Sequence, residues 1–107
     1  MDRATTLRER LTQGTPELIA DLRLYSTEEG GKRLPLVLGY GCPCSIDREV
    51  QEAWDGYPLV DRPMMPGEER RVGFIFMSGP EAVKALSAAE RFFLWEGKLI
   101  GEARIVR

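Results

Sequence analysis

The stretch GYGCPCSID, residues 39–47, carries both cysteines of the chain, Cys42 and Cys44, with Pro43 between them. Two thiols this close could hold a metal or cycle between reduced and oxidised forms. A structural zinc site asks for four Cys or His ligands, and this chain has two cysteines and no histidine. A disulfide across one intervening residue would be strained, and a reducing compartment opposes it. The pattern therefore predicts reduced thiols that are small, partly buried residues at a strand end. A metal shared between two chains stays open as the alternative. The missing histidine also removes the commonest general base, so no nucleophile–base pair can be assembled and the expectation is a protein without enzymatic activity or cofactor. The acidic pairs Glu28-Glu29 and Glu68-Glu69 sit at turn signals, and nothing sets one carboxyl apart as an acid and another as a base.

The elements that carry these residues must come from one domain. A chain of 107 residues is near the commonest domain size and can bury about two thirds of its unfolded surface, enough for one core. Hydrophobic residues at 43% and charged residues at 30% describe an ordinary globular protein rather than a disordered or membrane-embedded one. No apolar run approaches the roughly 20 residues of a membrane span, and the opening MDRATTLRER lacks the order of a secretory signal, so a cytoplasmic location is expected. A net charge of −2 argues against broad affinity for nucleic acid while leaving room for a local basic patch.

Residues 1–16 read as a helical extension. Thr6 stands three before Glu9, Leu7 and Leu11 are four apart, and Gly14 and Pro16 end the pattern. The short helix is expected to close an open end of the domain with its leucines. Residues 17–107 read mainly as strands. Leu18, Ala20, Leu22 and Leu24 alternate with polar residues, Gly30-Gly31 offers positive φ for a tight turn, and LPLVLGY reads as a second strand that Pro35 confines to a strand start or an edge. In residues 46–60 the spacing of Ile46, Val50, Ala53 and Tyr57 is compatible with a helix, but Asp55-Gly56 signals a hairpin, and the hairpin is preferred. Pro66-Gly67 suits a type II turn. RRVGFIFM continues as a strand with Val72, Phe74 and Phe76 on one face. Ser78 before Glu81 and Ser87 before Glu90 look like helix starts and predict one or two short helical turns. RFFLWEGKLIGEARIV reads as two strands joined at Glu96-Gly97, with Leu99, Ala103 and Ile105 inward. Recurrent turns with no βαβ unit indicate an all-β class, a small barrel or sandwich.

TEEGGKRLPLVLGY, PMMPGE and ERFFLWEGKLIGEARIV, in this order and spacing, resemble the C-terminal barrel, the third domain, of elongation factor Tu. That family has an acidic loop ending in Glu-Glu-Gly-Gly-Arg, a Met-Pro-Gly-Asp turn, and an Arg-Phe strand leading to a Glu-Gly hairpin. The resemblance covers residues 17–107 and implies a six-stranded antiparallel Greek-key β-barrel standing alone, since the G-x-x-x-x-G-K-[ST] loop of the family's GTPase domain is absent and GTP binding is not expected.

In the family this domain touches the T stem of aminoacyl-tRNA and is contacted by elongation factor Ts. Lys32 and Arg33 keep the basic character that suits phosphate contact, and Glu96-Gly97 match the hairpin that approaches RNA. Elsewhere the pattern departs: Gly41, Cys42 and Pro43 replace Arg-Pro-Gln, residues 46–49 replace a threonine-rich strand, Trp95 replaces an arginine, and Gly79 a lysine. Lys32, Arg33, Trp95, Glu96 and Gly97 are thus the candidate contacts for RNA or a protein partner. A solvated basic turn is the plain alternative for Lys32 and Arg33, and core packing for Trp54 and Trp95. The sequence favours a noncatalytic binding module acting mainly through protein contacts. The alternatives are a weak tRNA binder and a mimic or immunity-type antagonist engaging partners of elongation factor Tu.

Overall fold

The structure, a computed structural model, describes residues 15–107; the expected N-terminal helix around Leu7 and Leu11 lies outside them. Among the described residues six strands, β1 (Leu18–Leu24), β2 (Cys42–Ser45), β3 (Ala53–Leu59), β4 (Glu69–Phe76), β5 (Arg91–Trp95) and β6 (Leu99–Ile105), and one helix, α1 (Pro80–Ala89), follow in the order β1-β2-β3-β4-α1-β5-β6. The strands close a barrel in the spatial order β1-β4-β3-β2-β5-β6, and every pairing, including β1 with β6, is antiparallel. β2, β3 and β4 form a meander, and β1, joined to β2 by residues 25–41, returns beside β4, which is a Greek-key arrangement. Closure leaves no unpaired sheet edge.

Alternation built the wall. Ala20, Leu22 and Leu24 of β1, Val72, Phe74 and Phe76 of β4, Phe92 and Leu94 of β5 and Ala103 of β6 all point into one core cluster. At its centre Phe74 meets Phe92 edge to face with ring centroids 5.2 Å apart, and Phe76 packs on both at 6.1 and 6.3 Å. Edge-to-face pairs of this kind add to the burial of the rings themselves. Trp54 is buried in the same cluster whereas Trp95 is 38% exposed, so the two tryptophans divide between core and surface.

Four local expectations are corrected. LPLVLGY is not a strand: only Leu36 pairs, in an isolated bridge to Met64. The closed barrel has no free edge for it, Pro35 lacks an N–H, and Gly39 (φ 98) turns the chain. The strand in this region is β2, which contains the two cysteines. Residues 46–60 are neither a helix nor a hairpin about Asp55-Gly56. The turn falls at residues 46–52, and β3 runs straight through Asp55-Gly56. A Cβ on Gly56 would lie 2.7 Å from the Phe76 ring and 2.8 Å from Cys44 Sγ, so this glycine serves close packing rather than a bend. The segment after β4 is a ten-residue helix, not isolated turns; Gly79 is its N-cap with no side-chain cap bond, Pro80 occupies its first turn, and Glu90 caps its C-terminus in the left-handed region. Ser87 therefore lies inside α1 and starts nothing. Finally, a register shift at Leu94/Trp95 turns Ile100 into the core (1% exposed) in place of Leu99, because one inserted residue exchanges the faces of a strand.

The registers set residues 25–41, 60–68 and 96–98 at one end of the barrel, called here the hairpin end, and residues 46–52 with α1 at the other, the helix end. α1 buries Ala82 and Leu86 in the core cluster. It is not long and apolar enough to cross a membrane, nor is any other described helix.

Candidate functional site at the hairpin end

The residues that invited metal or redox chemistry are in the wrong place for it. Cys42 and Cys44 are free and buried, two residues apart on one strand, so both face the core. The Cys44 thiol lies 3.6 Å from the Cys42 carbonyl. Its pKa is raised well above the ordinary value, first by the hydrogen-bonding contact with Cys42 and then by burial. A thiol that resists ionisation is a poor nucleophile and a poor metal ligand, and a core-facing pair cannot share a metal with a second chain. These are wall residues of the barrel, more buried than expected. Among the described residues no group of three or more Cys, Asp or Glu side chains converges as a metal site would require.

The residues matched to the tRNA-contacting hairpin and basic turn do come together. Ser26 and residues 27–32 fold into a compact turn: the Gly31 N–H donates to the Ser26 carbonyl (2.9 Å), the Glu29 N–H to the Ser26 hydroxyl (3.0 Å), and the Ser26 N–H to the Glu29 carboxylate (2.9 Å). Gly30 alone takes positive φ (96°). Gly31 is needed instead for closeness, since a Cβ there would lie 2.2 Å from the Tyr25 carbonyl oxygen. The Thr27 hydroxyl then donates to the Lys32 carbonyl at 2.7 Å and fixes where Lys32 departs.

From there Lys32 reaches across to the β5–β6 hairpin. Its Nζ pairs with Glu96 Oε2 at 3.2 Å and lies 4.4 Å from the centroid of the Tyr40 ring. The Lys32 side chain is only 9% exposed. The Glu96 carboxyl is held below its ordinary range first by the approach of the Tyr40 hydroxyl and then by the Lys32 ammonium. The Tyr40 phenol is pushed far up, chiefly by burial and then by the approach of its hydroxyl to the Glu96 carboxylate, an approach that stops short of hydrogen-bond geometry. Gly97 (φ 70) makes the turn, and the Glu96 N–H closes it on the Lys98 carbonyl at 2.8 Å. Lys32 is therefore a strut between two loops, desolvated and paired, whereas Arg33 beside it is exposed. The two basic residues read together in the sequence have separate jobs.

Around this strut lies an apolar surface that the sequence reading missed. Of the seven large hydrophobic side chains exposed on the described chain, Leu34 (72%), Met65, Val37, Leu38 and Trp95 belong to the hairpin end. The Leu36–Met64 bridge places the loop carrying Met65 against the loop carrying Leu34, Val37 and Leu38. The Met65 loop is braced from β4, where the Arg70 guanidinium donates to the carbonyls of Arg62 (2.9 Å) and Pro63 (3.2 Å) and pairs with Glu68. The Met65–Glu68 turn around Pro66-Gly67 closes as expected, the Glu68 N–H donating to the Met65 carbonyl at 3.0 Å with Gly67 at φ 90. The only signal available in the sequence was LPLVLGY, whose apolar residues read as a strand. No protein-family model and no curated protein matches the chain.

Proposed function

We propose that this chain is a noncatalytic binding module, of the type of the third domain of elongation factor Tu, that works through protein contacts made at its hairpin end. The observation that carries this reading is the concentration of Leu34, Val37, Leu38, Met65 and Trp95 on that end, all exposed, at the same end as the Lys32–Glu96 ion pair. Soluble chains leave single hydrophobic residues at the surface commonly, but contiguous groups with polar rims mark interaction sites. An exposed Trp at such an end is a frequent anchor of protein interfaces. The closed antiparallel barrel supports the resemblance in fold. The engagement of Lys32 by Glu96 and Tyr40 weighs against phosphate contact by this residue, because its ammonium must abandon both partners to meet RNA.

The test pairs capture from lysate with a direct titration. Immobilised wild-type chain should retain a specific protein that a Leu34→Asp, Leu38→Asp variant of unchanged thermal stability loses, with no enrichment of RNA. Titration of purified tRNA at low salt, where phosphate contacts are strongest, should remain flat. Tight tRNA binding abolished by Lys32→Glu, Arg33→Glu would replace this reading with the RNA-binding one. Competition of the retained protein by elongation factor Tu would identify the module as a mimic of that factor's surface.

A further inference from the structure

The outer face of the barrel carries an unbalanced row of charge. The registers align Arg91 of β5 with Arg104 of β6, Arg104 with Asp21 of β1, and Asp21 with Arg71 of β4, giving one acid among three arginines in four adjacent strands. The Ile105 N–H donates to the Glu90 carbonyl, which makes 90/105 a hydrogen-bonded pair and the next pair, Arg91/Arg104, the open kind. Open pairs set their Cα atoms about 4.5 Å apart, against about 5.5 Å for bonded pairs. Two arginines therefore face each other at the closest spacing a sheet offers, an arrangement that is destabilising unless something lies between them.

The acids of the described chain offset this pair only in part, because each is shared with another arginine. Asp21 is engaged by Arg71, with Nε to Oδ1 at 2.9 Å and Nη2 to Oδ2 at 3.4 Å. Glu102 is shared: its Oε1 receives Arg23 at 3.1 Å and its Oε2 forms a longer ion pair with Arg91 at 3.8 Å. Arg104 is exposed, and although it makes no ion pair at contact distance among the described residues, its charge adds to the larger effect of Arg71 in holding the Asp21 carboxyl below its ordinary range. Arg91 and Arg104 also border a cleft of about 210 Å³ whose other polar walls are Asp21, Arg23, Glu69 and Glu102.

We infer that Arg91 and Arg104 bind a compact dianion, a phosphate-type oxyanion, in this cleft. Two opposed guanidinium groups supply the paired N–H donors that phosphoryl oxygens accept in bidentate fashion, and two positive charges match two negative ones. The acids around the pair set the size of the ligand: Asp21, Glu69 and Glu102 repel an extended polyanion but leave room for a single phosphoryl group. The site is on the barrel wall, apart from the apolar hairpin end, and does not depend on the function proposed above.

The test follows arginine Nε–H and backbone amide resonances of labelled protein at about pH 8, where inorganic phosphate is mostly dianionic and a phosphate monoester almost wholly so. Inorganic phosphate should give saturable shifts centred on Arg91 and Arg104 that chloride at matched ionic strength does not give. Arg104→Gln should weaken binding by roughly tenfold, the loss expected for a charge-assisted bidentate contact. Glu102→Gln, which removes the acid nearest Arg91, should strengthen it. Shifts that grow linearly and equal those with chloride, or an unchanged titration in Arg104→Gln, would overturn the site; if that variant does not fold, Arg91→Gln reads the same point. A phosphoserine peptide binding more tightly than inorganic phosphate would place the phosphoryl group on a partner protein, and equal binding would make the free anion the ligand.

Discussion

Lys32 shows how a side chain's job follows from its neighbours rather than from its type. The sequence gives a Lys-Arg pair after a glycine turn, the pattern of a phosphate contact, yet Lys32 is spent on Glu96 and on the face of Tyr40 while Arg33 faces solvent. The pairing joins residues 64 positions apart, a distance no local pattern reports. Lys32→Glu should lower stability by about 1–2 kcal/mol, since it removes a desolvated cation–π contact and sets two carboxylates together, while Arg33→Glu should stay within about 0.5 kcal/mol. Urea denaturation of the three proteins measures both. The same contact has a pH signature. The Glu96 carboxyl is depressed in the folded state, so its contribution is present above the ordinary carboxyl range and is lost as pH falls through the folded value. Asp21, Glu29 and Glu68 are depressed as well and act in the same direction. The denaturation midpoint should therefore hold from neutral pH to about pH 5 and fall below it, less steeply in Glu96→Gln. Cys42 and Cys44 carry the converse lesson: their spacing suggested chemistry, and the period of a strand put both thiols in the core.

At the scale of elements, alternation was the readable quantity and turns were the unreliable one. β1, β4 and the β5–β6 hairpin were legible because polar and apolar residues alternate through them. The β2–β3 connection was not, for two opposed reasons. SIDREVQE contains no glycine, proline or asparagine to announce a turn, yet the chain bends there with the Gln51 N–H donating to the Asp47 carboxylate and with Val50 at φ 54. Asp55-Gly56 announces a turn and lies in mid-strand, since the glycine leaves room for Phe76 and Cys44. Substitution separates the two cases. Val50→Gly should raise stability by about 1 kcal/mol, because a β-branched residue is strained in the left-handed region that glycine occupies freely. Gly56→Ala should lower it by about 1–3 kcal/mol through overpacking against the aromatic core. Equal and small effects at both positions, read as shifts in thermal midpoint, would contradict this assignment of strain and packing.

At the scale of the whole molecule, a barrel closed by six strands has one core and two separable surfaces. The all-β class was legible in the alternation that hides Phe74, Phe76 and Phe92, whereas that alternation serves a sandwich as well as a barrel, and the count of six strands was an expectation carried by the family resemblance alone. The surfaces were not legible: Leu34, Leu38 and Met65 converge through the Leu36–Met64 bridge, and Arg91 meets Arg104 through strand register, both products of tertiary pairing. The two proposed sites lie at the hairpin end and on the outer wall and share no residue, so their substitutions should not couple, as expected for distant positions. Leu38→Asp should abolish partner capture and leave the anion titration unchanged, and Arg104→Gln should do the reverse. Phe92→Ala differs in kind. Its ring packs on both Phe74 and Phe76, and its loss should cost about 3–5 kcal/mol, a large share of the roughly 5–15 kcal/mol that holds a domain folded. Both activities should then fade together as urea or temperature unfolds the variant, in one transition by every probe. Loss of one activity well before the other would show that the two surfaces rest on parts of the wall that open separately.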